Sequence, residues 1–319
     1  MLILGEVHTG LLQHSTSLSP PLCRHILELV HGEPARQFER PIAYTVSPDL
    51  LAGVDCLLPT DSGAKVRGVG TVIHRAALTG GHVLQGSAIV HITRGTGGRR
   101  LPWPHYLARP GQVETIGKVD PAAVIRGFLS AKPGPANGAL LDLGAISGRL
   151  MDVVQSAPEL DRRPPFRMAR TRLRWAAALA DQPADPAEPA VFVIESPQLR
   201  TLRLRCDRRQ AGAVAQLCED LARHDWLLTT LLELVERARI GTGSPHTIDR
   251  LRPVVDHLLH LWLPGARVDE SLLGVWEELE RRPGFSRQWQ ALTDRVRDQL
   301  SLGILTLLTT KLGPSVSAL

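Results

Sequence analysis

Two short stretches of the sequence place arginine at every second position, a pattern that could bind anions. In RMARTRLRW and TLRLRC these residues are Arg170, Arg172, Arg174, Arg203 and Arg205. Successive side chains of a β-strand point to opposite faces, so each set would share one face of its strand. If the strands are neighbours, five guanidiniums form a patch for phosphates or an acidic protein. The competing interpretation is a solvated sheet face neutralised by local carboxylates.

A histidine interrupts an otherwise apolar helical seam. In VAQLCEDLARHDWLLTTLLELV, apolar residues at heptad spacing surround His224, and they are Val214, Leu217, Leu221, Leu228, Leu231 and Val235. A neutral imidazole can be a satisfied core or interface residue. Alternatively the helix breaks and Asp225 caps a second one, or His224 serves catalysis or metal binding. We favour the core or interface role, because no companion ligand set is found.

Two further patterns are weaker. His257 and His260 lie three apart, a spacing that could hold a metal, but no third ligand and no HExxH pattern accompany them. The glycines and arginines of RGTGGRR could cradle a phosphate, but the LPWP that follows cannot begin the helix such loops lead into. A nucleophile elbow, a dinucleotide fingerprint and a Walker motif are also missing. We therefore predict no catalytic residue, no metal and no cofactor.

The elements that would position these residues change along the chain. Residues 1–130 are predicted to be a β-rich domain, in which the TGG between two β-branched runs indicates a hairpin. Residues 131–206 are predicted to be a connecting αβ segment with Pro-rich linkers at 131–138 and 156–165. Residues 207–319 contain four amphipathic helical patterns, which favour an α-helical bundle able to fold alone. The predicted class is α+β.

Composition is that of an ordinary globular chain. Of the 319 residues 43% are hydrophobic and 22% charged. Only four of the 37 basic residues are lysines, which is typical of a GC-rich genome, so the net charge of +5 indicates nucleic-acid binding only weakly. The N-terminus has no basic region typical of a secretory signal, and apolar runs are too short for a membrane span. Four scattered cysteines fit reduced thiols, and we expect a soluble, cytoplasmic protein.

Several runs resemble an actinobacterial family of uncharacterised cytoplasmic proteins known only by a locus-tag name. They are GEVHTGLL, SPDLLAGVDCLLPT, LTGGHVLQGSA, LCEDLARHDWLLTTLLE, LRPVVDHLLHLWLPGA and RPGFSRQWQALTDRVRDQL. The resemblance implies an intracellular protein encoded in a multigene cassette beside methyltransferase-like and variant P-loop proteins. Its partners would then be other proteins of the cassette. The resemblance implies no activity and no residue roles.

The function predicted from these observations is that of a non-catalytic adaptor or assembly subunit of a multiprotein system. Recognisable chemistry is absent, whereas helical apolar surface is plentiful. One alternative is nucleic-acid or acidic-protein binding through the arginine faces. Another is an enzyme of unrecognised type, with its site in a cleft between domains.

Overall fold

A computed structural model describes residues 1–95, 97–131, 140–180, 190–238 and 247–312, without the side chains of residue 304 and residues 306–312. Its strands are β1 (Leu2–Leu11), β2 (Arg36–Phe38), β3 (Tyr44–Val46), β4 (Leu50–Leu58), β5 (Val66–Thr79), β6 (Val83–Arg94), β7 (Gln112–Ile116), β8 (Thr171–Ala180), β9 (Val191–Ile194) and β10 (Leu199–Asp207). Its helices are α1 (Pro20–Ile26), α2 (Trp103–Leu107), α3 (Pro121–Ser130), α4 (Leu143–Gln155), α5 (Ala211–Ala238), α6 (Thr247–His257), α7 (Leu273–Arg281) and α8 (Phe285–Leu312). The α+β class is confirmed.

The strands form one mixed sheet. Their order is β2-β3-β5-β7-β6-β1-β8-β10-β9, and β4 pairs with β5 beside this path. The first strand, β1, is antiparallel to both β6 and β8, while β8 is parallel to β10. Strands from residues 2–116 and from residues 171–207 therefore share a single sheet.

The predicted hairpin is β5–β6. Its turn contains Gly80 and Gly81, whose φ angles are 59° and 68°. This left-handed backbone suits glycine, because a Cβ atom would clash with the following carbonyl oxygen. The pairing of Thr79 with Val83 closes the turn, so the TGG pattern predicted the hairpin correctly.

The two faces of the sheet carry different helices. α3 and α4 cover one face, and α5 packs against β1, β6 and β8 on the other, with α6 and α8 outside it. α4 approaches the sheet closely, since a Cβ atom on Gly86 would lie 2.5 Å from the carbonyl oxygen of Ser147. The absence of a side chain at Gly86 thus brings Ser147 against β1 and β6.

Four helices, α5 to α8, occupy the described part of residues 207–319, as the periodicity predicted. The apolar residues of the α5 seam all lie in the core between the sheet and the outer helices. Four tryptophans, Trp175, Trp226, Trp276 and Trp289, complete that core. Among the described residues, no helix is long and apolar enough to cross a membrane.

The predicted division at residues 130 and 206 does not coincide with a break in the sheet. β8 comes from the predicted connecting segment, yet it pairs with β1 along most of its length. The predicted linker 156–165 is bonded to the residues that follow β1, because the Arg162 amide donates to the Gln13 carbonyl (3.0 Å). The linker at 131–138, except Ala131, lies outside the described residues. Independent folding of the three segments stays a prediction; the shared sheet joins the first two, and the described part of residues 207–319 contributes only Asp207 to it.

Candidate interaction surface

The five arginines singled out in the sequence lie on one face of the sheet. β8 and β10 are parallel neighbours, with Thr201 beside Arg174 and Arg203 beside Ala176. This register aligns the two alternating sets, so Arg203 and Arg205 share the α3 and α4 face with Arg172 and Arg174. Arg170 precedes β8 and reaches the same side, where its Nη1 lies 2.7 Å from a carboxylate oxygen of Asp152 in α4.

Glu6 of β1 is paired with two of these arginines. Its Oε1 is 3.0 Å from Nε of Arg172, and its Oε2 is 3.2 Å from Nε of Arg174. Arg174 also donates to the carbonyl oxygens of Phe128 (3.1 Å) and Ala131 (2.5 Å), at the end of α3. Glu6 is 1% exposed and Arg174 6%, and charges so buried are tolerated because they are paired. The predicted patch is therefore divided, with Arg203 and Arg205 exposed away from this buried pair.

The exposed arginines of β10 lie beside an apolar strand at the end of the sheet. β9 pairs only with β10 among the described strands. Val191 lies beside Arg203 and Val193 beside Thr201, so the valines share the face of Arg203. The exposed fractions are 48% for Val191, 41% for Val193 and 60% for Ile194. β9 thus presents an apolar edge next to basic side chains.

The backbone of this edge can accept another strand. Glu195 donates its amide to the Leu199 carbonyl (3.0 Å), which makes this opposed pair a hydrogen-bonded one. Hydrogen-bonded and non-hydrogen-bonded pairs alternate in an antiparallel ladder, so the N–H and C=O groups of Phe192 and Ile194 point away from β10. The amide of Ala190, two residues before Phe192, also points away from β10 and donates to the carboxylate of Glu278 (3.2 Å). Phe192 and Ile194 therefore carry the outward-facing pairing groups of β9.

A groove runs beside this edge, and we call it the β9 groove. It has a volume of about 430 Å³, and its lining residues are Ala190, Val191, Phe192, Glu278, Arg281 and Arg282. The last two are exposed at the end of α7. Basic side chains thus lie on both sides of β9, from β10 and from α7.

His224 lies on α5 with its side chain fully buried. Its Nδ1 donates to the carbonyl oxygen of Asp220 at 2.8 Å, since a carbonyl can only accept. The rings of Trp262 and Trp276 meet the imidazole edge-on, with centroids 4.9 and 5.7 Å away. The alternative of a helix break capped by Asp225 is wrong, because α5 continues unbroken to Ala238.

Burial also determines the charge of His224. It lowers the pKa of the imidazole to about 4, Arg223 acts in the same direction, and Asp220 opposes both. The side chain is therefore neutral near pH 7. Its position is that of a polar residue held inside the packing of α5 against the outer helices.

Other charged residues of α5 face the sheet, and sequence reasoning missed them. Glu219 accepts two hydrogen bonds from Arg75 (2.9 and 3.0 Å) and one from the Ser87 hydroxyl (2.7 Å). Asp225 lies 2.6 Å from Nε of Arg200, and burial raises the pKa of Asp225 to about 6. The run of charges within an apolar helix was the signal for such pairs.

The two weaker patterns show no ligand geometry. His257 Nδ1 lies 3.1 Å from His82 Nε2, and the described residues hold no group of three or more side chains placed to bind a metal ion. In RGTGGRR, Arg100 pairs with Asp55 at 3.0 Å and lies over the ring of Trp103. One of the two guanidiniums expected to hold a phosphate is therefore engaged.

Comparison with family models, curated proteins and solved structures finds no match to the chain. Functional inference therefore depends on the geometry of these surfaces.

Proposed function

We propose that this protein is a non-catalytic adaptor, which captures an extended acidic segment of a partner protein as an added strand along β9. The observation that carries the proposal is the exposed apolar edge of β9. Strand addition to a sheet edge is a general mode of peptide recognition, in which main-chain hydrogen bonds supply affinity and side chains supply specificity.

Edge strands of soluble proteins are usually protected against such pairing by charged residues, prolines, bulges or covering segments. The four residues of β9, VFVI, contain no charge and no proline. Two outward amide and carbonyl pairs, those of Phe192 and Ile194, are spaced as a partner strand requires. Among the described residues, α7 meets this edge at Ala190, and the amide and carbonyl groups of Phe192 and Ile194 are left for a partner strand.

The surrounding charges specify the chemistry of the partner. Three exposed arginines flank the edge, Arg203 on one side and Arg281 and Arg282 on the other. Among the described residues, two carboxylates near the edge accept hydrogen bonds from the protein itself, Glu195 from the Thr201 hydroxyl (3.2 Å) and Glu278 from the Ala190 amide (3.2 Å). A partner strand that alternates apolar and acidic residues would complement both features.

The nucleic-acid alternative has less support, since it needs the five arginines of β8 and β10 as one surface. Arg174 is buried against Glu6 and Arg172 is mostly buried, so the five arginines do not form one exposed surface on which a nucleic acid could lie. The resemblance to the actinobacterial family makes another protein of the same gene cassette the natural source of the acidic segment. A cytoplasmic setting agrees with four unpaired cysteines.

The experiment is a titration with fluorescent peptides followed by anisotropy. One peptide alternates valine with glutamate, and its control alternates valine with lysine. We expect the acidic peptide to bind, with an affinity that falls as salt increases, and the basic peptide not to bind.

Two substitutions of one residue test the binding mode. Ile194→Pro removes an outward N–H that makes no bond to β10, so the fold is retained while strand addition is blocked. Ile194→Ala keeps that N–H and is the matched control. Equal binding by the two variants, or no binding of the acidic peptide by the unmodified protein, would refute the proposal.

A further inference from the structure

A second cleft lies on the arginine-bearing face, and we call it the His8 cleft. Its volume is about 770 Å³, within the range of small-molecule sites. Residues of β1, α3, α4, β8 and the turn between β9 and β10 line it, among them His8, Gly148, Arg170, Arg172, Glu195 and Gln198.

The sheet and α4 together fix the position of His8. On β1, His8 lies directly beside Arg172 of β8, which brings the imidazole next to a guanidinium. The ring lies beside Gly148 of α4, where an added Cβ atom would be in ordinary contact with it at 3.6 Å. On the same helix, the Ser147 hydroxyl lies 2.9 Å from Nδ1 of His8.

The hydrogen bond of the Ser147 hydroxyl is linked to the tautomer of His8. When the hydroxyl donates to the Leu143 carbonyl (2.9 Å), its oxygen accepts from Nδ1–H of His8 (2.9 Å). Nε2 then carries a lone pair and can only accept. Burial, reinforced by Arg172 and Arg170 and opposed by Asp142 and Asp152, lowers the pKa of His8 to about 4, which keeps the ring neutral near pH 7.

Arg170 and Arg172 donate hydrogen bonds, whereas Nε2 of His8 accepts them. Their described ion pairs are with Glu6 for Arg172 and with Asp152 for Arg170, and each pair uses one nitrogen of a guanidinium that carries five N–H donors. The remaining donors suit the paired oxygens of a phosphate or carboxylate. Glu195, in the turn after β9, also lines the cleft and can accept a hydrogen bond from a ligand hydroxyl.

We infer that the His8 cleft binds a small hydroxylated organic anion. Its phosphate or carboxylate would take hydrogen bonds from Arg170 and Arg172, and one of its hydroxyls would donate to Nε2 of His8. This inference is independent of strand addition, which uses the outer edge of β9 and not the turn that follows it.

Calorimetric titration tests the inference with four probes: glycerol 3-phosphate, glycerate, inorganic phosphate and glycerol. We expect at least one of the two hydroxylated anions to bind more tightly than inorganic phosphate and glycerol to show no binding. Both hydroxylated probes carry two neighbouring hydroxyl groups. The one that binds more tightly therefore shows whether the cleft prefers a phosphate or a carboxylate. Failure of both to bind, or equal affinity for the tighter one and inorganic phosphate, overturns the inference.

Three variants locate the site. Arg170→Gln changes a partly exposed side chain and should raise the Kd of every bound anion about tenfold, the value of one charged hydrogen bond. Arg67→Gln, which alters an exposed arginine paired with Asp55, should change nothing. His8→Phe should weaken the binding of the hydroxylated anion and leave the binding of inorganic phosphate unchanged. Unchanged binding in both cleft variants, with folding verified by circular dichroism, would also overturn the assignment.

Discussion

Replacing His224 by phenylalanine should make the protein less sensitive to acid. The phenyl ring keeps the packing against Trp262 and Trp276 but cannot be protonated. In the unfolded chain the imidazole has a pKa near 6.5, whereas in the folded protein burial lowers it to about 4. Between these values the unfolded state binds more protons, so the contribution to stability is complete above about pH 6.5 and is lost as the pH falls towards 4.

The magnitude follows from the two pKa values. Each pH unit between them costs up to about 1.4 kcal/mol in the free energy of unfolding. At about pH 4.5 the unmodified protein should therefore have lost roughly 2.5 kcal/mol through this one group. His8 and His82, whose pKa values burial also lowers to about 4, and Asp225, which acts in the opposite direction, are present in both proteins and cancel in the comparison.

Urea unfolding at about pH 7.5 and about pH 4.5, followed by tryptophan fluorescence, measures this difference. The loss of unfolding free energy on acidification should be smaller in His224→Phe by roughly 2.5 kcal/mol. His31→Phe, which alters an exposed histidine, is the control and should behave as the unmodified protein does. Equal losses in His224→Phe and the unmodified protein would refute the buried neutral histidine.

Two further perturbations test the packing of α5. Glu219→Ala removes the hydrogen-bonded partner of Arg75 at the helix–sheet interface and leaves Asp49, 4.0 Å away, as its described carboxylate neighbour. It should lower the free energy of unfolding by about 3 kcal/mol, whereas Glu233→Ala, in an exposed pair with Arg237, should cost less than about 1 kcal/mol. Similar losses in the two variants, measured by urea unfolding, would contradict this account. Residues 207–319 expressed alone should aggregate, because the face of α5 that packs on the sheet would be exposed; a soluble helical fragment would instead support an independent bundle.

Local patterns predicted the elements of the fold. The glycine pair at the β5–β6 turn has a conformation that few other residues adopt, so its signal was unambiguous. The periodicity of the last third predicted α5 to α8 because each helix buries one apolar stripe. The arginines at every second position of β8 and β10 likewise predicted two strands, because residues two apart lie on the same face of a strand.

Long-range pairing was what the sequence did not reveal. Glu6 and Arg174 are separated by 168 positions in the sequence, and no local pattern indicates that they form a hydrogen bond. The run AVFVIESPQLRTLRLRC folds back at Ser196 and Pro197 into the separate strands β9 and β10, a turn that the alternation of arginines in TLRLRC did not indicate. That turn creates the exposed edge on which the proposed function depends.

Amide hydrogen exchange of β9 tests the central claim most directly. In the protein alone, the outward amides of Phe192 and Ile194 should exchange rapidly, while the Val193 amide, which pairs with β10, should be protected. Saturation with the peptide that alternates valine and glutamate should protect Phe192 and Ile194 and leave Val193 unchanged. Continued rapid exchange at both amides in the saturated complex would contradict strand addition at this edge.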